Sequence, residues 1–287
     1  MLVLLVAALV GLVVAAGVAV AARRWPRVDL AAPSGEAVAS ELAEHPEEVA
    51  DADQVLSPEG VTVLGLSAAA LGVILGGVAL GLVFLLVRSR TGFGVLDLGP
   101  ARWAARNATP TSTTVLRALT YVGSTVVVLP LVVVVGVVEA RRLANRAIAW
   151  FLLLVEGGQL LVANLIKVAV DRARPDINPL AGFSAPSFPS GHTATAAASF
   201  AALALLLGRR RSPAARVALA AAAAGLTALV ASTRVLLGVH WTTDVLAGAS
   251  LGWGWAALCS IAFGGRLLRF GAPAEKAVAA ETSGTAA

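Results

Sequence analysis

The feature that most limits the fold of this chain is a series of long apolar runs. Seven of them can be read along the 287 residues, at about 1–22, 61–87, 122–139, 147–170, 192–208, 217–233 and 245–264. A helix that crosses a bilayer needs about 20 apolar residues, and it satisfies its backbone hydrogen bonds internally. Charged residues make up 14% of the chain, against about 25% in soluble domains. The sequence therefore predicts an all-α, polytopic membrane helical bundle and argues against a soluble enzyme.

The apolar runs and the segments between them divide the chain into four parts. Residues 1–22 are predicted to be an N-terminal transmembrane anchor, 23–60 an acidic cytoplasmic linker, 61–265 a six-span domain and 266–287 a disordered cytoplasmic tail. A cleaved signal peptide is the alternative for the first part. Three arginines follow this run at positions 23, 24 and 27, and a basic flank there favours an uncleaved anchor with its N-terminus outside.

The formal net charge of +5 hides an asymmetry. Residues 29–59 hold nine of the 17 acidic residues and no Lys or Arg. The basic excess elsewhere suits nucleic acid, anionic lipid or a phosphate substrate, but in a membrane protein the positive-inside rule is considered first. With the N-terminus outside, the inside segments carry 13 bases and the outside loops eight. The predicted orientation is therefore N-terminus out and C-terminus in, in a plasma membrane.

Several polar residues fall within or just after segment 147–170, where burial in lipid is costly and function is the first explanation. At 100° per residue they lie near one helical stripe: Glu156, Gln159, Asn164, Lys167, Asp171 and Arg174. For the first three we favour hydrogen bonding between helices. Lys167 and Arg174 are predicted to share one helix face about 10 Å apart, until Pro175 ends the helix. Snorkelling to the interface is the alternative for these two cations.

A second polar group begins segment 192–208, on the same predicted side of the membrane. Ser190 is a candidate N-cap, and Gly191 lets a ligand approach the backbone. The free N–H groups and the dipole of a helix start favour an anion. His192 stands in the first turn of this helix.

A third polar group lies between the last two apolar segments, again on the predicted outside. It consists of Thr233, Arg234, His240 and Asp244. Four residues separate His240 from Asp244, so on a helix the carboxylate reaches the imidazole and fixes its tautomer. A zinc pair is the alternative, but a third ligand is hard to find, and we predict no metal and no other cofactor. The single cysteine, Cys259, is predicted to be a packing residue.

The three groups together indicate phosphoryl transfer. Lys167, Arg174 and Arg234 supply a positive cradle, and two histidines and a carboxylate supply a nucleophile and an acid. No feature of the sequence requires a nucleic-acid partner, and none predicts the oligomeric state.

The same residues resemble the type 2 phosphatidic acid phosphatase superfamily, which also includes vanadium haloperoxidases and bacterial acid phosphatases. The family pattern is Lys-x6-Arg-Pro, then Pro-Ser-Gly-His, then Ser-Arg-x5-His-x3-Asp. This chain has KVAVDRARP at 167–175, PSGH at 189–192 and TRVLLGVHWTTD at 233–244. Thr233 replaces the family serine and keeps a hydroxyl. The resemblance covers about residues 61–265.

The resemblance implies a role for each matched residue. His240 is expected to be the nucleophile that forms a phosphohistidine, Asp244 to orient it, and His192 to protonate the leaving alkoxide. The phosphate oxygens are expected to be bound by Lys167, Arg174, Ser190, Gly191 and Arg234. Attack requires a neutral His240 and proton donation a charged His192, so we expect an acidic to near-neutral pH optimum.

The resemblance also implies a membrane phosphatase with an extracytoplasmic site and a lipid phosphate substrate, for which a phosphatidate-like monoester is the first expectation. A polyprenyl diphosphate of the carrier-lipid cycle is the alternative. Two other classes are a non-enzymatic lipid-binding or transport protein on the same scaffold, and a vanadate-dependent peroxidase. The loop 176–188, with Phe183 and Phe188, is predicted to form part of the site's rim.

Overall fold

The computed structural model describes residues 1–24, 94–177, 185–209 and 211–267, and these residues form helices joined by short connections without any strand. The helices are α1 (Leu2–Arg24), α2 (Gly94–Asn107), α3 (Pro110–Thr120), α4 (Thr125–Arg142), α5 (Ala147–Val170), α6 (Gly191–Gly208), α7 (Pro213–Leu236) and α8 (Thr242–Leu267). A single 3-10 turn, Tyr121–Gly123, joins α3 to α4. The predicted all-α fold is confirmed.

Five helical stretches in this part of the chain are long and apolar enough to cross a membrane. They are Leu2–Val20, Pro110–Arg142, Ala147–Val170, Gly191–Gly208 and Ala214–Leu236. The last predicted apolar segment, 245–264, lies within the 26-residue α8. The predicted segment 61–87, nearly all of the acidic linker and nearly all of the tail lie outside the described residues.

The region between residues 94 and 120 is more helical than the sequence suggested. Loop 88–121, with Trp103 beside Arg102 and Arg106, is predicted from the sequence to be an interfacial helix, with a plain loop as the alternative, whereas the structure has α2 and then α3. The break between them is set by a capping box, in which the side chains of Thr109 and Ser112 each bond the other's backbone N–H. Pro110 in the first turn lacks the N–H that would have no partner there.

The end of α5 corrects the prediction for Lys167 and Arg174. The helix ends at Val170, and Asp171 caps it in the left-handed conformation with φ 43°. Residues 171–176 have no regular structure. Arg174 is therefore not on the helix, and the predicted shared helix face does not exist.

Small residues let α6 and α8 approach each other closely. A Cβ atom on Gly252 would lie 2.6 Å from the Cβ of Ala197 and still closer to the carbonyl oxygen of Ala194, and one on Gly248 would lie 2.6 Å from the carbonyl oxygen of Ser190. Such close approach is how helices in lipid gain packing energy, because lipid tails are as apolar as the side chains they would replace. The first turns of α6 and α8 are thereby brought side by side.

Helix α1 packs against α7 by the same means. A Cβ atom on Gly11 would lie 3.1 Å from the carbonyl oxygen of Gly225. Val3 and Ala7 belong to a buried cluster with Leu236, Leu237 and Val239 at the C-terminal end of α7. The N-terminus of the chain is thus at the same end of the bundle as the residues that precede His240. The division of the chain into an anchor and a separate six-span domain stays a prediction, but α1 is packed onto the bundle.

We predict that Gly252→Ala lowers the melting temperature of the protein in detergent, because its Cβ atom overlaps α6. Overpacking of this kind costs about 1–3 kcal/mol. Gly254→Ala is the matched control two residues away, where an added Cβ atom meets nothing within 4 Å. Equal melting temperatures for the two variants, measured by thermal unfolding, would contradict the proposed close contact.

Candidate active site

Four helix ends meet at the end of the bundle where the predicted site residues lie. Lys167 is in the last turn of α5 and Arg234 in the last turn of α7. Ser190 precedes α6, and Asp244 is in the first turn of α8. His240 lies in the short connection between α7 and α8. Because the α5–α6 and α7–α8 connections both lie at this end, residues far apart in sequence converge here.

One backbone carbonyl brings Lys167 and Arg174 together. Lys167 Nζ donates to the carbonyl oxygen of Pro186 at 3.0 Å, and Arg174 Nη2 donates to the same oxygen at 3.4 Å. Arg174 also donates from Nε to the Ala185 carbonyl and from Nη1 to the Val239 carbonyl, both at 2.7 Å. The two cations therefore converge through the loop before α6 rather than along a helix.

The hydrogen bonds of His240 fix its tautomer. Nδ1 lies 3.3 Å from Asp244 Oδ2, and Nε2 lies 3.3 Å from Arg174 Nη1. A guanidinium group has only donors and an ionised carboxylate only acceptors. Nδ1 therefore carries the proton and donates it to Asp244, while Nε2 presents its lone pair towards Arg174. The unprotonated nitrogen of His240 thus lies beside a cation that can bind an anion.

Burial keeps the His240 imidazole neutral. The side chain is almost completely inaccessible, and this desolvation lowers the pKa of His240 to about 4, although Asp244 opposes the shift and Arg234 and Arg174 add to it. The pKa of Arg174 is also lowered by burial, against the opposing effect of Asp244. A guanidinium group starts from so high a pKa that Arg174 remains a cation.

The turn that begins α6 contributes both main-chain and side-chain groups. The main-chain N–H of Ser190 donates to the Asp244 carbonyl oxygen at 3.0 Å, so that N–H is already occupied. The Ser190 hydroxyl accepts from Thr193 at 3.0 Å and caps no backbone N–H, although Ser190 holds the predicted N-cap position. A Cβ atom on Gly191 would lie 4.0 Å from Lys167 Cε, so the Lys167 side chain passes close to the start of α6.

His192 and Arg234 complete the site. His192 is half-buried and interacts electrostatically with Arg234, His240, Arg174 and Lys167. Arg234 is buried and donates from Nη1 to the Thr120 hydroxyl at 3.1 Å. All the residues predicted for the site are therefore close together, and their chemical roles stay predictions.

The hydroxyl of Thr233, the departure from the family pattern, bonds the Val230 carbonyl of its own helix at 2.6 Å.

Three residues that the sequence analysis did not single out extend this group: Arg172 bonds Asp244, and Asp97 and Thr243 bond Arg172. Arg172 donates from Nη1 to Asp244 Oδ1 and from Nη2 to Asp97 Oδ2 at 2.7 Å. Thr243 donates its main-chain N–H to Asp97 Oδ1 at 2.9 Å. No local pattern could have found Asp97, because it lies more than 70 residues from both of its partners.

The other polar residues of α5 divide between the interior and the surface. Glu156 is buried and accepts a 2.7 Å hydrogen bond from Ser199 of α6, as predicted for contacts between helices. Gln159 is buried without a hydrogen-bond partner among the described residues. Asn164 is exposed and bonds the Leu160 carbonyl of its own helix, so the hydrogen bond between helices predicted for it is wrong.

The predicted rim is also partly wrong. Phe188 is 1% exposed and cannot form the edge of an open site. Phe183 lies outside the described residues.

Among the described residues, no group of three or more His, Cys, Asp or Glu side chains has a geometry that could hold a metal ion.

Comparison with known proteins indicates the same family as the motifs do. Residues 148–267 match the model of the PAP2 superfamily. The chain is 37% identical over 143 residues to phosphatidylglycerophosphatase B of Bacillus subtilis, covering 48% of this chain and 68% of that protein. It is 43% identical over 113 residues to lipid A 1-phosphatase of Rhizobium johnstonii, covering 36% of this chain and 43% of that protein. The second match thus spans less than half of the relative's length.

The fold of this chain resembles that of a solved structure over nearly the whole length of the solved chain. The solved protein is a transmembrane PAP2-type phosphatidylglycerolphosphate phosphatase from Bacillus subtilis, with a TM-score of 0.59 and 31% identity, and the match covers 67% of this chain and 98% of that one. These relatives are named as phosphatases, in agreement with the class that the motifs predict. Together with the apolar helices, they identify a multi-pass membrane protein.

We predict that orthophosphate raises the melting temperature of the protein, because the cations around His240 are stabilised by an anion. A ligand at 100 times its Kd stabilises a folded protein by about 2.7 kcal/mol. Lys167→Gln should reduce this shift, whereas Arg211→Gln, an exposed arginine at the opposite end of the bundle, should leave it unchanged. The comparison concerns the phosphate-induced shift of each variant. Equal shifts in all three proteins would place the anion elsewhere.

Proposed function

Because this chain belongs to the PAP2 superfamily, we propose that it hydrolyses the terminal phosphate of a membrane lipid through a phosphohistidine on His240. The proposed reaction needs no metal and takes place at the extracytoplasmic face of the plasma membrane. The observation that carries the proposal is the Nε2 lone pair of His240, which faces the Arg174 guanidinium at 3.3 Å while Nδ1 is bonded to Asp244.

In the first step, Nε2 of His240 attacks the phosphorus of the lipid phosphate. The nitrogen–phosphorus bond forms while the bond from phosphorus to the lipid oxygen breaks. The leaving alkoxide takes a proton from charged His192, so a neutral alcohol departs. The positive charge that develops on His240 is stabilised by Asp244, which accepts the Nδ1 hydrogen bond.

In the second step, water replaces the imidazole on phosphorus. His192, neutral after the first step, accepts the proton of the attacking water, and the nitrogen–phosphorus bond breaks. Inorganic phosphate leaves, and both histidines return to their starting states. Lys167, Arg174 and Arg234 are proposed to hold the phosphate oxygens in both steps, with the Ser190 hydroxyl and the Gly191 N–H as neutral donors.

The substrate class is proposed from the membrane setting and from the relatives. The site lies at the ends of apolar helices, where a lipid headgroup can reach it while its acyl chains stay in the bilayer. A phosphatidate-like monoester fits this position. One relative is named phosphatidylglycerophosphatase B. For this reason phosphatidylglycerophosphate, another lipid phosphate monoester, is the first substrate to test.

A second candidate substrate is the 1-phosphate of lipid A, because a lipid A 1-phosphatase is also similar to this chain, over 36% of its length. A polyprenyl diphosphate is chemically compatible with the same cations. A non-enzymatic lipid-binding role is disfavoured, since every residue of the three motifs is present apart from the conservative Thr233. A vanadate-dependent peroxidase is disfavoured by the membrane-spanning helices, because those enzymes are soluble.

The proposed face of the membrane depends on the charge bias of the loops. Because α1 starts at the site end of the bundle, the N-terminus and the site share one side. The bias predicts that this side is outside. The orientation is tested with a Leu2→Cys variant in a Cys259→Ala background. A thiol reagent that cannot cross the membrane should label this variant in intact cells if the N-terminus is outside.

We predict that the detergent-purified protein releases phosphate from phosphatidylglycerophosphate or phosphatidate in mixed micelles with EDTA present. His240→Ala should lower the rate by at least about a thousandfold, as expected for loss of a nucleophile. Arg211→Gln, purified in the same way, is the control for contaminating phosphatases.

Equal release by the wild type and His240→Ala would contradict the assignment of the nucleophile. Release only from lipid A or from a polyprenyl diphosphate would keep the mechanism and replace the substrate. No release from any of the four lipids would overturn the proposed activity.

We also predict that kcat/KM falls as the pH is lowered below about 4. His240 attacks only when neutral, and burial lowers its pKa to about 4, so the reactive form is present above that pH and is lost below it. The rate should fall about tenfold for each further pH unit. The measurement is the pH profile of kcat/KM, with a return to pH 6 as the control for unfolding. A reversible loss near pH 6.5, where an exposed histidine titrates, would contradict it.

A further inference from the structure

Arg172 joins two carboxylates from different helices. Its Nη2 donates to Asp97 Oδ2 at 2.7 Å, and its Nη1 donates both to Asp244 Oδ1 and to the Thr243 hydroxyl, the latter at 2.7 Å. The guanidinium carbon also lies 5.5 Å from the centre of the Trp241 ring. An arginine held by four contacts presents a rigid, planar set of donors.

Asp97 fixes the other side of this arrangement. It is 4% exposed, and it comes from α2, before the residues that match the family model. Its Oδ1 accepts the main-chain N–H of Thr243 at 2.9 Å, and its Oδ2 accepts from Arg172 and from the Thr243 hydroxyl, the latter at 2.9 Å. Asp97 therefore neutralises Arg172 and holds the residue next to Asp244.

The two oxygens of Asp244 consequently have separate partners. Oδ2 faces His240 Nδ1 at 3.3 Å and accepts the main-chain N–H of Trp241 at 3.0 Å. Oδ1 is occupied by Arg172. The carboxylate plane is thus fixed from both sides, and only one of its oxygens is directed at the imidazole.

We propose that Asp97, Arg172 and Thr243 form a positioning clamp that sets the orientation and the charge of Asp244, and through it the reactivity of His240. This inference rests on the proposed function of His240 as the nucleophile. Orientation keeps Oδ2 on Nδ1, so that Nε2 stays aimed at the phosphate. The Arg172 cation also withdraws negative charge from Asp244, and Asp97 limits how much it withdraws.

The two charged members of the clamp should act in opposite directions on the titration of His240. Without Arg172, Asp244 stabilises the imidazolium more strongly, so the acidic limb of kcat/KM should move to higher pH. Without the Asp97 charge, Arg172 is uncompensated and the limb should move to lower pH. The other charged groups around His240 are Arg174, Arg234, Asp244 and His192, and they are the same in every variant.

The test uses the full-length protein in detergent with the lipid that proves to be the substrate. The variants are Arg172→Gln, Arg172→Lys, Asp97→Asn and Thr243→Val, with Arg211→Gln as the control and the melting temperature recorded for each. We expect kcat to fall about ten- to a hundredfold in Arg172→Gln, the range seen when supporting partners of a functional residue are removed. KM should change little, because no clamp residue is proposed to touch the substrate. Arg172→Lys should recover the position of the limb but not the full kcat, since Lys keeps the charge and loses the forked geometry.

Two results would overturn the clamp. One is an acidic limb that stays in place in both Arg172→Gln and Asp97→Asn. The other is a loss of kcat in Arg172→Gln that is no larger than the loss in Gly252→Ala, when the two variants have the same melting temperature. The role of Arg172 would then be purely structural. The pH titration of His240 can also be followed by NMR of histidine-labelled protein, assigned with His240→Ala. That measurement needs no turnover, so it tests the clamp even if none of the lipids is hydrolysed and the proposed function fails.

Discussion

The buried carboxyl group of Asp244 and its backbone carbonyl bond to three separate parts of the chain, and the geometry of the site depends on these bonds. The side chain is completely inaccessible. It bonds Arg172 after α5 and both His240 and Trp241 before α8, while its main-chain oxygen accepts the N–H of Ser190 at the start of α6. Breaking a buried ion pair by removing one partner costs about 3–5 kcal/mol, because a charge is left without compensation. The connections at the site end are therefore held by the same group that orients the His240 imidazole.

These polar contacts require helices that approach more closely than ordinary side chains allow. The hydrogen bond from Ser190 to the Asp244 carbonyl is possible because Gly248, one turn further along α8, has no side chain to push Ser190 away. Gly252 extends the contact along α6 by one more turn. In lipid, where apolar association gains little, this fit of small residues supplies the packing. Apolar fit and polar bonding are thus two parts of one arrangement: the glycines determine the distance between the helices, and Asp244 determines their register.

Much of this arrangement follows from the sequence, and the exceptions have physical reasons. The apolar runs predict the long helices, and the three motifs identify the residues that meet at the site. The position of Arg174 was not predictable from helical periodicity, because the left-handed Asp171 ends α5 four residues before Pro175. Asn164 satisfies its amide on its own helix and needs no interior position. Asp97 is a single carboxylate in an otherwise unremarkable stretch, and only the folded chain brings it to Arg172.

The groups bonded together at the site have a formal charge that suits a terminal phosphate. Lys167, Arg172, Arg174 and Arg234 contribute four positive charges, and Asp97 and Asp244 contribute two negative ones, so these six side chains carry +2, to which His192 adds one when it is charged for proton donation. A phosphate monoester carries about −1.5 to −2 at neutral pH, whereas a phosphodiester carries only one charge and has two terminal oxygens instead of three. Asp97 balances the charge of Arg172, so three cations remain for the three oxygens of the proposed terminal phosphate. The clamp thus has an electrostatic function as well as a geometric one: it supports Asp244 with a cation without adding to the charge that the phosphate must balance.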